Sequence, residues 1–339
     1  MKKLVLIFLI SITGINTLFS IENDTTKITS KPLFLIYSNF HQGLTENSHE
    51  SNFNVKRAYL GYDFNLNNGF YGFIKIDIGT PDDDSQYSLI RRDAYLRNVG
   101  ITYKKNHFKI NFGIIDNQQH KTQERFWGKR YIYKSFLDEY DLLPSTDLGF
   151  NFQYSFNKKL RFEAGMMNGE YLCNDAGFLK YVYNIGLDYS PIDIIKLKIH
   201  STYTSKENDL ITAGIFLGLS PIKNFKIGGE YNLQAELKNN DEYISFGYNA
   251  FAVYDITKKI NLFARYDVLS SNIPSGFTTP FNQALDGSAI IGGVEYIFNN
   301  NFRMSLNYQD WTPDDTSLDK SSYIFLNLEF CINESYKRI

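Results

Sequence analysis

The stretch S-A-I-I-G-G-V-E-Y-I-F-N-N-N-F-R-M-S-L-N-Y-Q-D-W, Ser288 to Trp311, decides the fold. Ile290, Gly292, Val294, Tyr296 and Phe298 fall on alternate positions, and Asn299-Asn300-Asn301 supplies a turn. Phe302, Met304, Leu306 and Tyr308 then alternate on the way back, with Arg303, Ser305, Asn307 and Gln309 between them. Successive side chains of a strand point to opposite faces, so each arm of this hairpin has an apolar wall and a polar one. A soluble sandwich would turn the polar wall to bulk water. A transmembrane barrel would turn it to a wet lumen and give the apolar wall to lipid.

Outward from this hairpin the same unit recurs, giving sixteen strand segments between residues 32 and 330. Their connections alternate in length. The short ones are 66–68, 105–106, 157–158, 191–192, 221–222, 256–258 and 299–300, built from turn-forming or polar residues. The long ones are 41–53, 80–92, 117–146, 169–179, 205–209, 235–242, 270–287 and 312–320. A sandwich has no reason to put every long loop at one end, whereas an outer-membrane barrel does: short periplasmic turns, long outer loops and an even strand number. The sequence therefore predicts an all-β, transmembrane, antiparallel up-and-down β-barrel of about sixteen strands. Aromatic pairs near strand ends (Tyr62 and Phe64, Phe70 and Tyr71, Tyr154 and Phe156, Tyr296 and Phe298) suit interface girdles.

Bulk composition agrees. The chain has 339 residues, 25 Tyr and 28 Phe, and a formal net charge of −2, which argues against a nucleic-acid partner. Beyond the N-terminus no apolar run approaches the length of a membrane helix. Residues 1–20 read as a secretory signal, with Lys2 and Lys3 before the apolar run Leu4 to Ile12 and a cleavage edge near Ser20. The expected layout is a signal at 1–20, a lead at 21–31, the barrel at 32–331 and a tail at 332–339. Localisation is expected at the outer membrane, with its lipid as one partner. Cys173 and Cys331 fall at opposite ends of such a barrel, too far apart for a disulfide.

The alternation breaks for longest at Asn117 to Thr146, N-Q-Q-H-K-T-Q-E-R-F-W-G-K-R-Y-I-Y-K-S-F-L-D-E-Y-D-L-L-P-S-T. This stretch is expected to fold inward as a constriction loop. Its first half carries Lys121, Arg125, Lys129, Arg130 and Lys134 against the single acid Glu124. Basic side chains in a narrow pore concentrate anions, so these five are the candidate ion-pathway residues, with Arg57 and Arg265 as wall partners. The bland alternative is that Glu124, Asp138, Glu139 and Asp141 balance the run. The wall is expected to carry mixed charge, with same-face pairs two residues apart at Lys75/Asp77, Arg161/Glu163 and Arg265/Asp267. Arg97 breaks the alternation of its strand.

Several motifs resemble the phosphate-selective porin O and P family, in the form found in Bacteroidota-type bacteria. They are Val55-Lys56-Arg57-Ala58-Tyr59-Leu60-Gly61, Asp93-Ala94-Tyr95-Leu96, Asn111-Phe112-Gly113, Glu124-Arg125, Pro144, Asp147-Leu148-Gly149 and Met167-Asn168-Gly169, in that order. The resemblance implies a sixteen-stranded channel assembled as a homotrimer. Where many relatives carry a Lys-x-Pro-Phe run after the position of Gly113, this chain has Asp116-Asn117-Gln118-Gln119. The functional expectation is passive diffusion of small hydrophilic solutes, with anions or phosphate preferred, and no cofactor. Two rivals remain open: a plugged structural or adhesive barrel, and a barrel enzyme such as a phospholipase. Against the enzyme, His200 and Ser201 are adjacent on a strand, and neighbours on a strand face opposite ways. His41, His49, His107 and His120 show no metal-ligand spacing.

Overall fold

The computed structural model of the chain describes residues 28–45, 50–79, 93–169, 181–204, 209–238 and 241–332. The expected signal, Cys173 and residues 333–339 of the tail lie outside the described residues. Sixteen antiparallel strands run β1 (Thr29–Gly43), β2 (Ser51–Asn67), β3 (Phe70–Gly79), β4 (Asp93–Lys105), β5 (Phe108–Asp116), β6 (Thr146–Ser155), β7 (Leu160–Met167) and β8 (Val182–Tyr189). They continue as β9 (Ile195–Thr204), β10 (Asp209–Ile222), β11 (Phe225–Lys238), β12 (Asp241–Asp255), β13 (Ile260–Ser271), β14 (Gly287–Ile297), β15 (Phe302–Pro313) and β16 (Ser321–Ile332). Each pairs with its sequence neighbours, and β1 closes on β16 from Phe34 opposite Ile332 to Gly43 opposite Tyr323. No ladder edge is left open, as a bilayer requires of a spanning sheet.

Face assignment follows parity. Ile290 is 51% exposed while its neighbour Ile291 is 0% exposed, which sets lipid and lumen sides on β14. Leu306 and Ile324 are likewise exposed on β15 and β16. Rings ring the short-turn end: Tyr154 and Phe156 lie 4.9 Å apart, Tyr296 and Phe298 4.7 Å, and Phe70 and Tyr103 4.7 Å. With an apolar exterior, aromatic belts and a closed ladder, this is an outer-membrane barrel.

Two expectations are corrected. The connection 235–242 is not a long loop: the alternation continues, β11 pairs with β12 out to Lys238 opposite Asp241, and only residues 239–240 lie between. The lumen is not polar throughout either. Phe216, Phe251, Val253, Phe263, Ala289 and Ile291, from β10 and β12 to β14, are buried on its inside.

The break at Arg97 has a simple cause. Opposite β4, Lys75 pairs with Asn98 and Ile76 with Leu96, so Arg97 is the extra residue of a β-bulge. The bulge turns Arg97 and Asn98 both inward, and both are buried. A second bulge leaves Lys56 unpaired, because Tyr37 faces Arg57 and Ser38 faces Val55.

Candidate channel constriction

The segment between β5 and β6 folds into the barrel. Its neck is closed by the Asn117 N–H donating to Ser145 O at 3.0 Å. Helix α1 (Lys121–Trp127) stops at Gly128, whose φ of 68° is one that glycine adopts without strain and whose N–H donates to Glu124 O. A short second helix, α2 (Phe136–Glu139), follows Ser135.

Apolar side chains decide where the loop rests. Trp127, Tyr131 and Ile132 are buried with Phe216, Phe251, Val253, Phe263, Ala289 and Ile291. The Trp127 ring centroid lies 5.0 Å from Phe251 and 6.0 Å from Phe263. Further along, Phe136, Leu137, Leu142 and Leu143 pack with Leu269. The inward apolar side of β10 and β12 to β14, joined by Leu33, Leu35 and Tyr37 of β1 and Tyr59 of β2, is thus the seat of the loop, and the barrel's apolar core lies inside its lumen.

Wall side chains then cap loop carbonyls. Lys226 donates to Phe126 O at 2.7 Å, Arg303 to Gly128 O at 2.9 Å, Arg265 to Lys134 O at 2.7 Å and Gln234 to Leu142 O at 2.7 Å. A carbonyl left buried without a partner costs about 1–3 kcal/mol, so these contacts favour the seated loop.

The predicted pathway residues divide. Lys129 is buried and donates to Glu295 at 2.8 Å and Asn261 at 2.7 Å. Arg130 pairs with Glu124 and, at 2.7 Å, with Asp138. Lys134 reaches the Asp138 carbonyl at 3.4 Å. Arg265 is bidentate to Asp267, both contacts at 2.6 Å, and Arg57 lies 3.1 Å from Asp77. Lys121 is buried too, 3.4 Å from Asp116 and 3.8 Å from Glu124, and together with Arg125 it borders the open interior.

The wall charges are inward as expected, but their partners differ. Arg265/Asp267 is a same-strand pair. Arg161 instead pairs with Asp188 on β8 at 2.7 Å, Glu163 pairs with Lys198 on β9, and Asp77 pairs with Arg57 and, at 3.5 Å, Arg97. Arg161 and Asp188 stand directly opposite each other on β7 and β8, and Glu163 reaches Lys198 over Gly186 of β8, which has no side chain in the way.

The open space lies on the β1–β5 side of α1. A cavity of about 270 Å³ is lined by Lys75, Arg97, Lys121, Arg125, Arg130, Lys226 and Arg303 against the acids Asp116, Glu124 and Glu329, with Tyr37 and Tyr59 beside them. It adjoins a larger cavity of about 660 Å³ toward the short turns, sharing Lys75, Asp116, Lys121 and Arg125. That cavity adds Lys31, Lys104 and Lys109 against Asp63. Tyr59 has Arg57, Lys75 and Arg97 within 5.6 Å of its ring centroid, so its π-face steadies part of this cationic wall.

Sequence reasoning missed Lys226 and could not orient Arg97. Lys226 is legible by parity: it stands four residues before the inward Glu230, and Ile227 beside it is exposed. Arg97 needed the bulge.

Loop titrations follow from burial. Burial pushes the His120 imidazole down to about 4, helped by Lys121, and neither ring nitrogen has a hydrogen-bond partner among the described residues. Burial alone would raise the Glu124 carboxyl, but Arg130 and Lys121 hold it below its ordinary value. Burial, with Arg161 nearby, lowers the Arg125 guanidinium.

His200 is buried on the lumen side of β9, and Ser201 takes the opposite face. Among the described residues no group of three or more His, Cys, Asp or Glu is placed to hold a metal ion.

No protein-family profile and no curated protein sequence matches the chain. Solved structures do match in fold. OmpT of Vibrio cholerae, in trimer form, superposes with a TM-score of 0.63 at 13% identity, over 90% of this chain and 99% of that one. Salmonella typhi OmpF in complex with daunomycin gives 0.66 at 13% identity, over 92% and 99%. An anion-selective porin from Comamonas acidovorans gives 0.64 at 10% identity, over 90% and 100%. This chain has the fold of outer-membrane porins.

Proposed function

We propose that the barrel is a porin for passive diffusion of small hydrophilic solutes, with a preference for anions. The observation that carries this is the excess of bases over acids around the interior space beside α1, seven to three in the smaller cavity and six to two in the larger. Lys121 and Arg125 from the loop, with Lys75 and Lys109 from the wall, are the residues assigned to the anion path. Lys129, Arg130, Lys134, Arg57 and Arg265 hold the loop and the wall in shape, so they act on selectivity through geometry.

A unit charge about 5 Å from a passing ion contributes about 0.8 kcal/mol even at the dielectric constant of water. A few such charges suffice for anion preference. The protein acts as a channel and performs no chemistry on its solute. A homotrimer is the assembly proposed, in keeping with the trimer form of the Vibrio cholerae barrel. Within the porin fold, the motif order described above favours the phosphate-porin family, and inorganic phosphate is the first oxyanion to test.

The experiment is the reversal potential of purified protein in a planar bilayer under a KCl gradient. Anion preference that falls on joint neutralisation of Lys121 and Arg125 supports the reading. A cation-leaning potential refutes the anion path, and absent conductance refutes the channel.

A further inference from the structure

Seven short connections close one end of the barrel, the periplasmic end in barrels of this kind. Four of them repeat one composition. Lys105 stands opposite Phe108 at the β4–β5 turn, and Phe156 precedes Lys158 and Lys159 at β6–β7. Ile222 precedes Lys223 at β10–β11, and Ile256 precedes Lys258 and Lys259 at β12–β13. All of these lysines are exposed. So are the apolar partners, with Phe156 at 54%, Ile222 at 57% and Ile256 at 51%. Asp255 is the one acid within these four turns. The described rim at the opposite end carries the acids Asp209, Asp314, Asp315 and Asp319, with Lys320 paired to the buried Asp310.

A turn wetted on all sides gains nothing by exposing isoleucine or phenylalanine beside lysine, and here that arrangement occurs four times. At a membrane interface it is favourable. The apolar side chain enters the acyl boundary, while the lysine stem lies along it and lifts its ammonium to headgroup level. Neutral headgroups would not call for such an excess of cations, whereas anionic ones attract each basic side chain near the surface. Phe108, Tyr154 and Phe156 form a ring cluster just inside this rim, with centroids 5.0 and 4.9 Å apart, so the boundary between ring belt and lysines is sharp.

We propose that this basic, apolar-tipped rim is a docking surface for anionic phospholipid headgroups of the periplasmic leaflet. It depends on the orientation of the barrel and not on which solute passes through it.

The test uses the full chain reconstituted in phosphatidylcholine vesicles containing a minority of phosphatidylglycerol. Spin-labelled phosphatidylglycerol and phosphatidylcholine of equal chain length report which lipid the barrel perimeter retains. The expected result is retention of phosphatidylglycerol about threefold over phosphatidylcholine at low salt, lost when Lys105, Lys158, Lys159, Lys223, Lys258 and Lys259 are all changed to Gln. Changing the same six to Arg should keep the preference, and heat-modifiable gel migration checks that each variant has folded. A triple Phe156→Ser, Ile222→Ser, Ile256→Ser variant should weaken it as well. Equal retention of both lipids by the unaltered chain overturns the proposal, as does a preference that survives the Gln variant. A preference lost with the lysines but untouched by the triple variant also overturns it, since that pattern belongs to a site for soluble polyanions.

Discussion

Trp127→Ala should unseat the constriction loop without unfolding the barrel. Trp127 is 1% exposed, packs on Phe251 and Phe263, donates its indole N–H to Tyr133 O at 3.1 Å, and has the Arg265 guanidinium 5.6 Å from its ring centroid. Removing a buried tryptophan costs about 3–5 kcal/mol. That is about two to four powers of ten in the balance between seated and displaced loop. No ladder hydrogen bond depends on the side chain, so the sheet should keep its resistance to heat. Displacement would carry Lys121 and Arg125 off the open space. Single-channel recording should show higher and noisier conductance with weaker anion preference, and hydrogen exchange should speed up over 117–146. Phe53→Ala, at a site 84% exposed, serves as the control and should change none of these. Wild-type conductance, selectivity and exchange in Trp127→Ala would refute the view that the apolar seat positions the constriction.

The loop should also loosen in acid. His120 is held neutral in the folded protein down to about 4, whereas an unburied imidazole titrates near 6.5. The displaced state therefore binds more protons between these values, so the seat is fully stable above about pH 6.5 and weakens by up to about 3 kcal/mol as pH falls toward 4. Conductance recorded from pH 7 to pH 4 should show this, and His120→Gln should flatten the dependence; an unaltered profile in that variant would remove His120 from the explanation. Arg265→Met leaves Asp267, 0% exposed, with the Tyr140 hydroxyl at 3.2 Å as its remaining hydrogen bond among the described residues; an uncompensated buried charge costs about 3–5 kcal/mol, read as a lower temperature for the gel shift of the folded barrel. Lys129→Met should cost less, because Glu295 keeps Tyr131 at 2.7 Å and Asn261 at 2.6 Å. At Gly113 the backbone φ is 127° and an added Cβ would stand 2.1 Å from Val99 O, so Gly113→Ala should sharply lower the folded yield in detergent refolding, while Gly79→Ala, where the added Cβ meets nothing within 4 Å, should not.

The wall was legible because one constraint repeats along it. Lipid on one side and the interior on the other impose strict parity, and residues such as Ile290, Leu306 and Ile324 report the lipid side wherever they fall. Parity failed at Arg97 and Lys56, where a bulge adds a residue and shifts which side chains face inward. A bulge leaves no mark in composition, so only the pairing of β4 with β3 and of β2 with β1 could find it.

Charge in the loop was legible as a count and not as a role. The basic run from Lys121 to Lys134 looks uniform along the chain, but its members meet different surroundings because α1 carries only Lys121 and Arg125, and the chain turns at Gly128 before Lys129, Arg130 and Lys134. Lys129 is carried toward β13 and β14, where Glu295 and Asn261 wait, and Arg130 turns back to Glu124 and Asp138 within the loop. What separates them is the position of the seat, and the seat is built from Phe216, Phe251, Phe263 and Ile291 on strands far along the sequence. On those strands both faces are apolar at the level of the loop, one for lipid and one for Trp127 and Ile132. Once that double-faced wall is recognised, the open side of the lumen follows by exclusion: the loop covers β10 to β14, and the space left beside β1 to β5 is where Lys75, Lys109, Lys121 and Arg125 stand.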